Sequence, residues 1–201
     1  MQKAYALLGV AFIIVFGSAY VLFERAYAPT TDDESIVHSE AESMTLTLTS
    51  PEFTHNTSIP SRYTCDGENI LPPLVIEGVP EGTGSLVLVM DDPDVPDEIK
   101  AARGITKFDH VAIYNIPADT ELIDADAMPG TGALNGRGET GYVGPCPPSE
   151  YEPTEHRYIF RLYAIEGTLN FIKAPTLDEL EAAAKGRAIE SAELIGRYER
   201  I

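Results

Sequence analysis

The residues with chemistry to offer fall in three places. Asp91-Asp92-Pro93-Asp94-Val95-Pro96 sets three carboxylates within four residues, and two prolines restrict the backbone around them. Left unpaired, such a cluster is costly, so it forms either a solvated acidic turn or a partnered site. His110 and His156 each open a stretch that reads as a strand, and strand ends are where loops gather and sites form. Strand alternation sends His156, Tyr158, Phe160 and Leu162 to one face, so an imidazole and a phenol point the same way. Taken alone, either histidine also reads as a hydrogen-bonded structural residue. The third place is Gly141-Tyr142-Val143-Gly144-Pro145-Cys146-Pro147-Pro148. Glycine permits close backbone approach to a ligand and proline fixes the loop, the makings of a pocket wall or of a rigid turn.

The elements that must position these residues are mostly strands. Thr45 to Thr49 alternates with period two, as a half-buried strand does. Leu74-Val75-Ile76 is a short strand between proline and glycine. Ser85 to Met90 is a continuous apolar run, the pattern of a central strand buried on both faces. His110 to Ile116 is stopped by Pro117, and His156 to Ile165 is rich in aromatic and β-branched residues. Toward the C-terminus, Thr176-Leu177-Asp178-Glu179 has the form of a capping box, and Leu177, Leu180 and Ala184 share a helix face. Gly186 is expected to divide this helix from a second one, Arg187 to about Gly196. The expectation is an α+β domain, mainly β, with helices packed at one side.

Residues 4–23 are twenty consecutive uncharged, largely apolar residues, long enough as a helix to cross a hydrocarbon core. Lys3 on the short side keeps the N-terminus cytoplasmic by the positive-inside tendency and exports the rest. The alternative is a cleaved signal peptide ending at Ala26-Tyr27-Ala28, which would give a secreted protein. The run exceeds the usual apolar length of a signal peptide, and Pro29 is a poor first mature residue. These features favour an uncleaved anchor over residues 1–28. Residues 29–43 hold acids and no Lys or Arg, as an extended tether would, and the folded domain is expected over 44–201. With 32 acidic against 14 basic residues and a net charge of −18, a nucleic-acid partner is excluded. No G-x-S-x-G elbow, P-loop or H-E-x-x-H motif occurs. Asn56-Thr57-Ser58 is a glycosylation sequon, whose use depends on the host.

Five ordered segments together resemble the phosphatidylethanolamine-binding protein family, also called Raf kinase inhibitor-like proteins, in its bacterial and archaeal branch. They are YTCDGENILPPL (63–74), SLVLVMDDPDVP (85–96), FDHVAIYNIPA (108–118), GYVGPCPP (141–148) and HRYIFRLYAI (156–165); AELIGRYER (192–200) resembles the family's close. The resemblance implies an antiparallel β-sheet sandwich with flanking helices and a small pocket for phosphate-like and carboxylate anions. Carried over by motif, the pocket would hold Asp92, His110, Gly144, Pro145, His156 and Tyr158, with Tyr142 as a further wall. Three features depart from the family pattern. Val111 stands where an aromatic is usual, Arg187-Ala188 where many relatives carry a histidine, and segments 97–107 and GTGALNGRGET differ in form.

Physical chemistry is compatible with an anion site. Imidazoles can donate N–H bonds to anionic oxygens, Tyr158 adds a hydroxyl, and a carboxylate can orient one imidazole and favour its charged form. Anion binding should then strengthen as pH falls toward the histidine range. The resulting expectation is a membrane-tethered, non-enzymatic binding module for a small anion such as a phospholipid head group, needing no cofactor or metal. A protein-interaction role such as protease inhibition is the alternative. A metal-dependent hydrolase, with zinc on Asp92, His110 and His156, is the third class. Cys65 and Cys146 both lie in family-matching loops and, if exported, in an oxidising compartment, which favours a disulfide. Free thiols, or a thiolate site with one of the histidines, are the other possibilities.

Overall fold

The apolar run at 85–90 forms the centre of the molecule. In the computed structural model, which describes residues 45–200, it becomes part of β4 (Ser85–Asp92), every residue of which is buried. Before it come β1 (Thr47–Thr49), β2 (Thr57–Ser58) and β3 (Leu74–Glu77). After it come α1 (Asp97–Arg103), β5 (Phe108–Ile116), β6 (Leu122–Ile123), β7 (Thr131–Gly132), β8 (Glu155–Ile165), α2 (Leu177–Lys185) and β9 (Ala188–Glu199). The strands make two sheets, β1-β3-β6 and β2-β9-β8-β4-β5-β7. The expected membrane segment and tether lie outside the described residues; among those described, no helix is long and apolar enough to cross a membrane.

The two faces of the large sheet bury different cores. On one face Leu88, Met90, Val111, Ile113, Phe160 and Leu162 meet Leu48, Leu74 and Ile76 of the small sheet. On the other, Val87, Val89, Ala112 and Tyr163 pack under Leu177, Leu180 and Ala184 of α2. A strand buried on both faces has no polar alternation, which is why β4 reads as unbroken apolar sequence. The capping box is present: Glu179 N donates to Thr176 Oγ1 at 3.2 Å and Thr176 N to Glu179 Oε2 at 2.9 Å.

Two expectations need correction. The segment after Gly186 is not a second helix but β9, which pairs antiparallel with β8 from Glu155↔Glu199 to Ile165↔Ala188. Its Ala, Glu and Leu content favours a helix locally, but pairing along β8 overrides that weak preference. The telling period is two: Leu194, Gly196 and Tyr198 are buried in alternation. Gly196 is required there, because a Cβ would stand 2.4 Å from Ile59 Cγ1. The flanking helices are therefore α2 and the short α1, the latter inside segment 97–107, which departs from the family pattern. The large sheet is also not wholly antiparallel, since β2 pairs parallel to β9.

Candidate functional site

Consecutive residues of β4 point to opposite faces, so Asp91 and Asp92 part company at its end. Asp92 turns to the face of the first core, 4% exposed. Its Oδ1 accepts from Asp94 N at 2.8 Å and its Oδ2 from His156 Nδ1 at 2.6 Å. The DPDVP turn is thus not a free acidic loop. Asp94 is gripped by Arg157 through Nε and Nη2, each at 2.7 Å, and through the backbone N–H at 2.9 Å. These bonds from Arg157 outweigh partial burial and hold the Asp94 carboxyl below its ordinary value. The same fork fixes the start of β8 and so the position of His156.

His110 reaches the site through a bulge. Met90 pairs with Val111 but Asp91 with Asp109, leaving His110 as the extra residue. Val111 belongs to the first core, so strict alternation would send His110 to the opposite face. The bulge instead allows His110 to line the same cavity as Asp92 and His156. His110 Nδ1 lies 2.5 Å from the Val143 carbonyl, while Val143 N donates back to His110 O at 2.9 Å. A carbonyl can only accept, so Nδ1 carries the proton and Nε2 of the neutral ring is a lone pair. Burial pushes the His110 pKa below the ordinary histidine value, against the pull of the Val143 carbonyl and Asp92. With Nδ1 engaged, the neutral ring presents an acceptor at Nε2, and only the protonated ring can donate there.

The wall loop is anchored to residues 63–69 at several points. Tyr142 Oη donates to Tyr63 O at 2.8 Å, Gly144 N to Asn69 Oδ1 at 2.8 Å, and Cys65 N to Pro145 O at 3.0 Å. The Cys65–Cys146 disulfide closes the clamp, with Cα atoms 5.4 Å apart. Neither free thiols nor a thiolate metal site remain. Gly144 has no space for a side chain: a Cβ would lie 2.5 Å from Asn69 Oδ1 and 2.8 Å from Tyr63 O.

Between these parts lies a cavity of about 370 Å³, lined by Asp92, His110, Val143, Gly144, Cys146 and His156 together with Val95, Pro96, Ile99, Arg103, Phe108, Arg137, Pro147 and Pro148. Of the residues marked in the sequence, Asp92, His110, Gly144 and His156 line it. Pro145, Tyr142 and Tyr158 stand behind: Tyr158 is fully buried, its ring 5.1 Å edge-on from His110 and 6.4 Å stacked from His156. His110 Nε2, His156 Nε2 and Tyr158 Oη are buried without a hydrogen-bond partner. Phe108, which no spacing in the sequence marks as a site residue, also lines the cavity, its ring edge-on against His110 at 5.0 Å. Arg103 and Arg137 line it as well. Both lie in the two segments that depart from the family pattern, and nothing in the linear sequence brings those segments to one cavity. Among the described residues, no group of three or more His, Cys, Asp or Glu side chains is placed to hold a metal.

A family model described as phosphatidylethanolamine-binding protein matches residues 49–199. A UPF0098 protein of Methanothermobacter thermautotrophicus is 39% identical over 163 residues, covering 77% of this chain and 99% of that protein. A UPF0098 protein of Chlamydia pneumoniae is 38% identical over 156 residues, again 77% and 99%. The crystal structure of a phosphatidylethanolamine-binding protein homologue from Chlamydia trachomatis superposes with a TM-score of 0.71 at 36% identity, over 79% of this chain and 100% of that one. The chain belongs to the phosphatidylethanolamine-binding protein family, in its bacterial and archaeal branch.

Proposed function

We propose that this family member is a binding protein whose cavity takes a small phosphate-like or carboxylate anion, such as a phospholipid head group. The observation that carries this reading is the pair of cavity-lining histidines, each with Nδ1 engaged and Nε2 unpartnered. A buried nitrogen without a partner is costly, and an anionic oxygen on the protonated ring, or a phosphoryl O–H on the neutral one, would satisfy it. Tyr158 supports the two rings from behind rather than reaching the ligand.

The proton arithmetic follows from the geometry. Neutral His110 meets an anion only if it gains a proton or the ligand brings one, so binding takes up protons and strengthens as pH falls. The role is binding rather than turnover, and it operates outside the cytoplasm, tethered by residues 4–23. The length and apolar character of that segment support the tether.

Calorimetric titration with inorganic phosphate tests the pocket. His156→Ala should lower the affinity at least about tenfold, the range of a lost charge-assisted hydrogen bond. Equal affinity in the mutant, with circular dichroism showing it folded, would remove the anion reading. For the tether, the chain should stay in the membrane fraction after carbonate washing; recovery in the supernatant would remove that part.

A further inference from the structure

We propose that the mouth of the cavity is a second anion subsite, formed by Arg103 and Arg137, which selects phosphoesters carrying another negative charge at the end away from the phosphate. The proposal rests on the inner pocket being an anion site and names the ligand class that pocket prefers.

The charge of the lining is the reverse of the chain's. The sequence has 32 acids and 14 bases, yet the cavity is lined by one carboxylate against two arginines and two histidines. That carboxylate, Asp92, has both oxygens engaged, by His156 and by the Asp94 N–H. Elsewhere Arg62, Arg157, Arg161, Arg197 and Arg200 each form an ion pair, and Arg187, away from the cavity, donates to Thr168 O at 2.9 Å. Arg103 and Arg137 form none among the described residues, and both are exposed at the cavity. A guanidinium without a carboxylate, beside a cavity in a strongly acidic protein, is a site for an external anion.

The backbone holding Arg137 is fixed. Gly136 N donates to Asp109 O at 2.8 Å and Arg137 N to Asn135 Oδ1 at 2.9 Å. Gly136 lies flat on Phe108, where a Cβ would come within 2.7 Å of Cε2. Arg103 ends α1, where Gly104, at a φ of 65°, closes the helix in the left-handed conformation. The cavity lining also includes Ile99, Phe108 and Pro147, which make no charged contacts and suit an uncharged spacer. A phosphate against the histidines, a short spacer along this apolar side and an anion at the guanidiniums would match each part in turn. An ammonium in the outer place would face two cations.

The test compares three phosphoesters of similar size by calorimetry on the full chain: 3-phosphoglycerate (carboxylate end), glycerol 3-phosphate (hydroxyl end) and O-phosphoethanolamine (ammonium end), with inorganic phosphate as reference. Affinity should fall in that order, by about tenfold from the first to the second, the range for one charged hydrogen bond. The double variant R103A/R137A, altered only at exposed positions, should erase the order among the three esters. Phosphate binding that depends on His156, with no ranking among the three esters, overturns the outer subsite and leaves the inner site standing. No binding of phosphate or any ester overturns both. Vesicles of phosphatidylcholine with cardiolipin, whose head group joins two phosphates, should displace 3-phosphoglycerate if the natural source is a lipid. If the source is a free solute they should leave it bound.

Discussion

Asp91 and Asp92 are neighbours in the chain, both nearly fully buried, and they serve the two faces of one sheet differently. Asp91 meets Lys107 Nζ at 3.0 Å and Arg161 Nη1 at 2.7 Å on the face beneath α2. Lys107 also pairs with Asp109 and Asp178, and Arg161 with Glu181 and Glu193. Burial alone would lower the Lys107 pKa, but Asp91 and Asp109 outweigh it and hold the ammonium charged. Glu181, which burial would push up, is held below its ordinary value by Tyr163 Oη and Lys185. On this face each of these charges has an ion-pair partner, although Asp109 Oδ1, 3.3 Å from Lys107 Nζ, makes no hydrogen bond and burial holds its carboxyl above its ordinary value. On the other, Asp92 answers one histidine, and two ring nitrogens and a phenol are left without partners. The contrast separates a network that supports the fold from a site that waits for something to complete it.

The largest effect tests the wall of the incomplete face. Replacing both cysteines with serine removes a bridge spanning 81 residues, for which chain entropy gives about 4–5 kcal/mol. Urea denaturation should show a loss of that order. Phosphate affinity should fall with it, because the loop that clamps His110 through Val143 loses its strongest tie. Unchanged stability would mean that the hydrogen bonds to residues 63–69 hold the wall alone.

Asp91→Ala tests the completed face. It leaves Lys107 and Arg161 with fewer partners and should cost about 3 kcal/mol, as breaking a buried pair does. Phosphate binding should be unaffected, since the side chain lies across the sheet from the cavity. A binding defect without a stability loss would erase the distinction between the faces.

A smaller effect comes from pH. The His110 pKa is lowered in the fold, so below its ordinary value of 6.5 the unfolded chain takes up a proton that the folded chain refuses. Stability contributed by the neutral ring is thus fully present above that value and is lost as pH falls toward the folded pKa. The slope from this one group is at most about 1.4 kcal/mol per pH unit. His156, Asp92 and Asp91 are the titratable groups around it. The slope should be shallower in His110→Gln and, in the wild type, in the presence of phosphate. Melting curves between pH 7.5 and 5.5 decide; identical slopes in wild type and mutant would mean that folding does not shift the His110 pKa.

The smallest effect belongs to α2. Thr176→Ala removes one half of the capping box and should cost about 1 kcal/mol, leaving phosphate binding unchanged. An affinity change would show that the two faces communicate through the sheet.

Much of this was legible in the chain because it is local. The capping box is a three-residue spacing, and the same-face placement of His156 and Tyr158 follows from a period of two. Burial of β4 on both faces is written in its unbroken apolar run. The stretch from Arg187 to about Gly196 reads as a helix because its composition favours one, and only β8 alongside makes Ala188–Glu199 a strand. The face of His110 was equally out of reach, since a bulge is a mismatch between two strands and has no signature in one of them.

The sequence by itself determined the types of group at the site and the order of most elements, since periodicity, capping and turn chemistry act between near neighbours. The tertiary structure alone decided which groups meet. It gave Asp91 to one face and Asp92 to the other, brought His110 to the same cavity as His156, and placed there Arg103, from the end of α1, and Arg137, from a distant loop. Their partners lie far along the chain, and such contacts are set by strand register and loop packing, which no local pattern encodes.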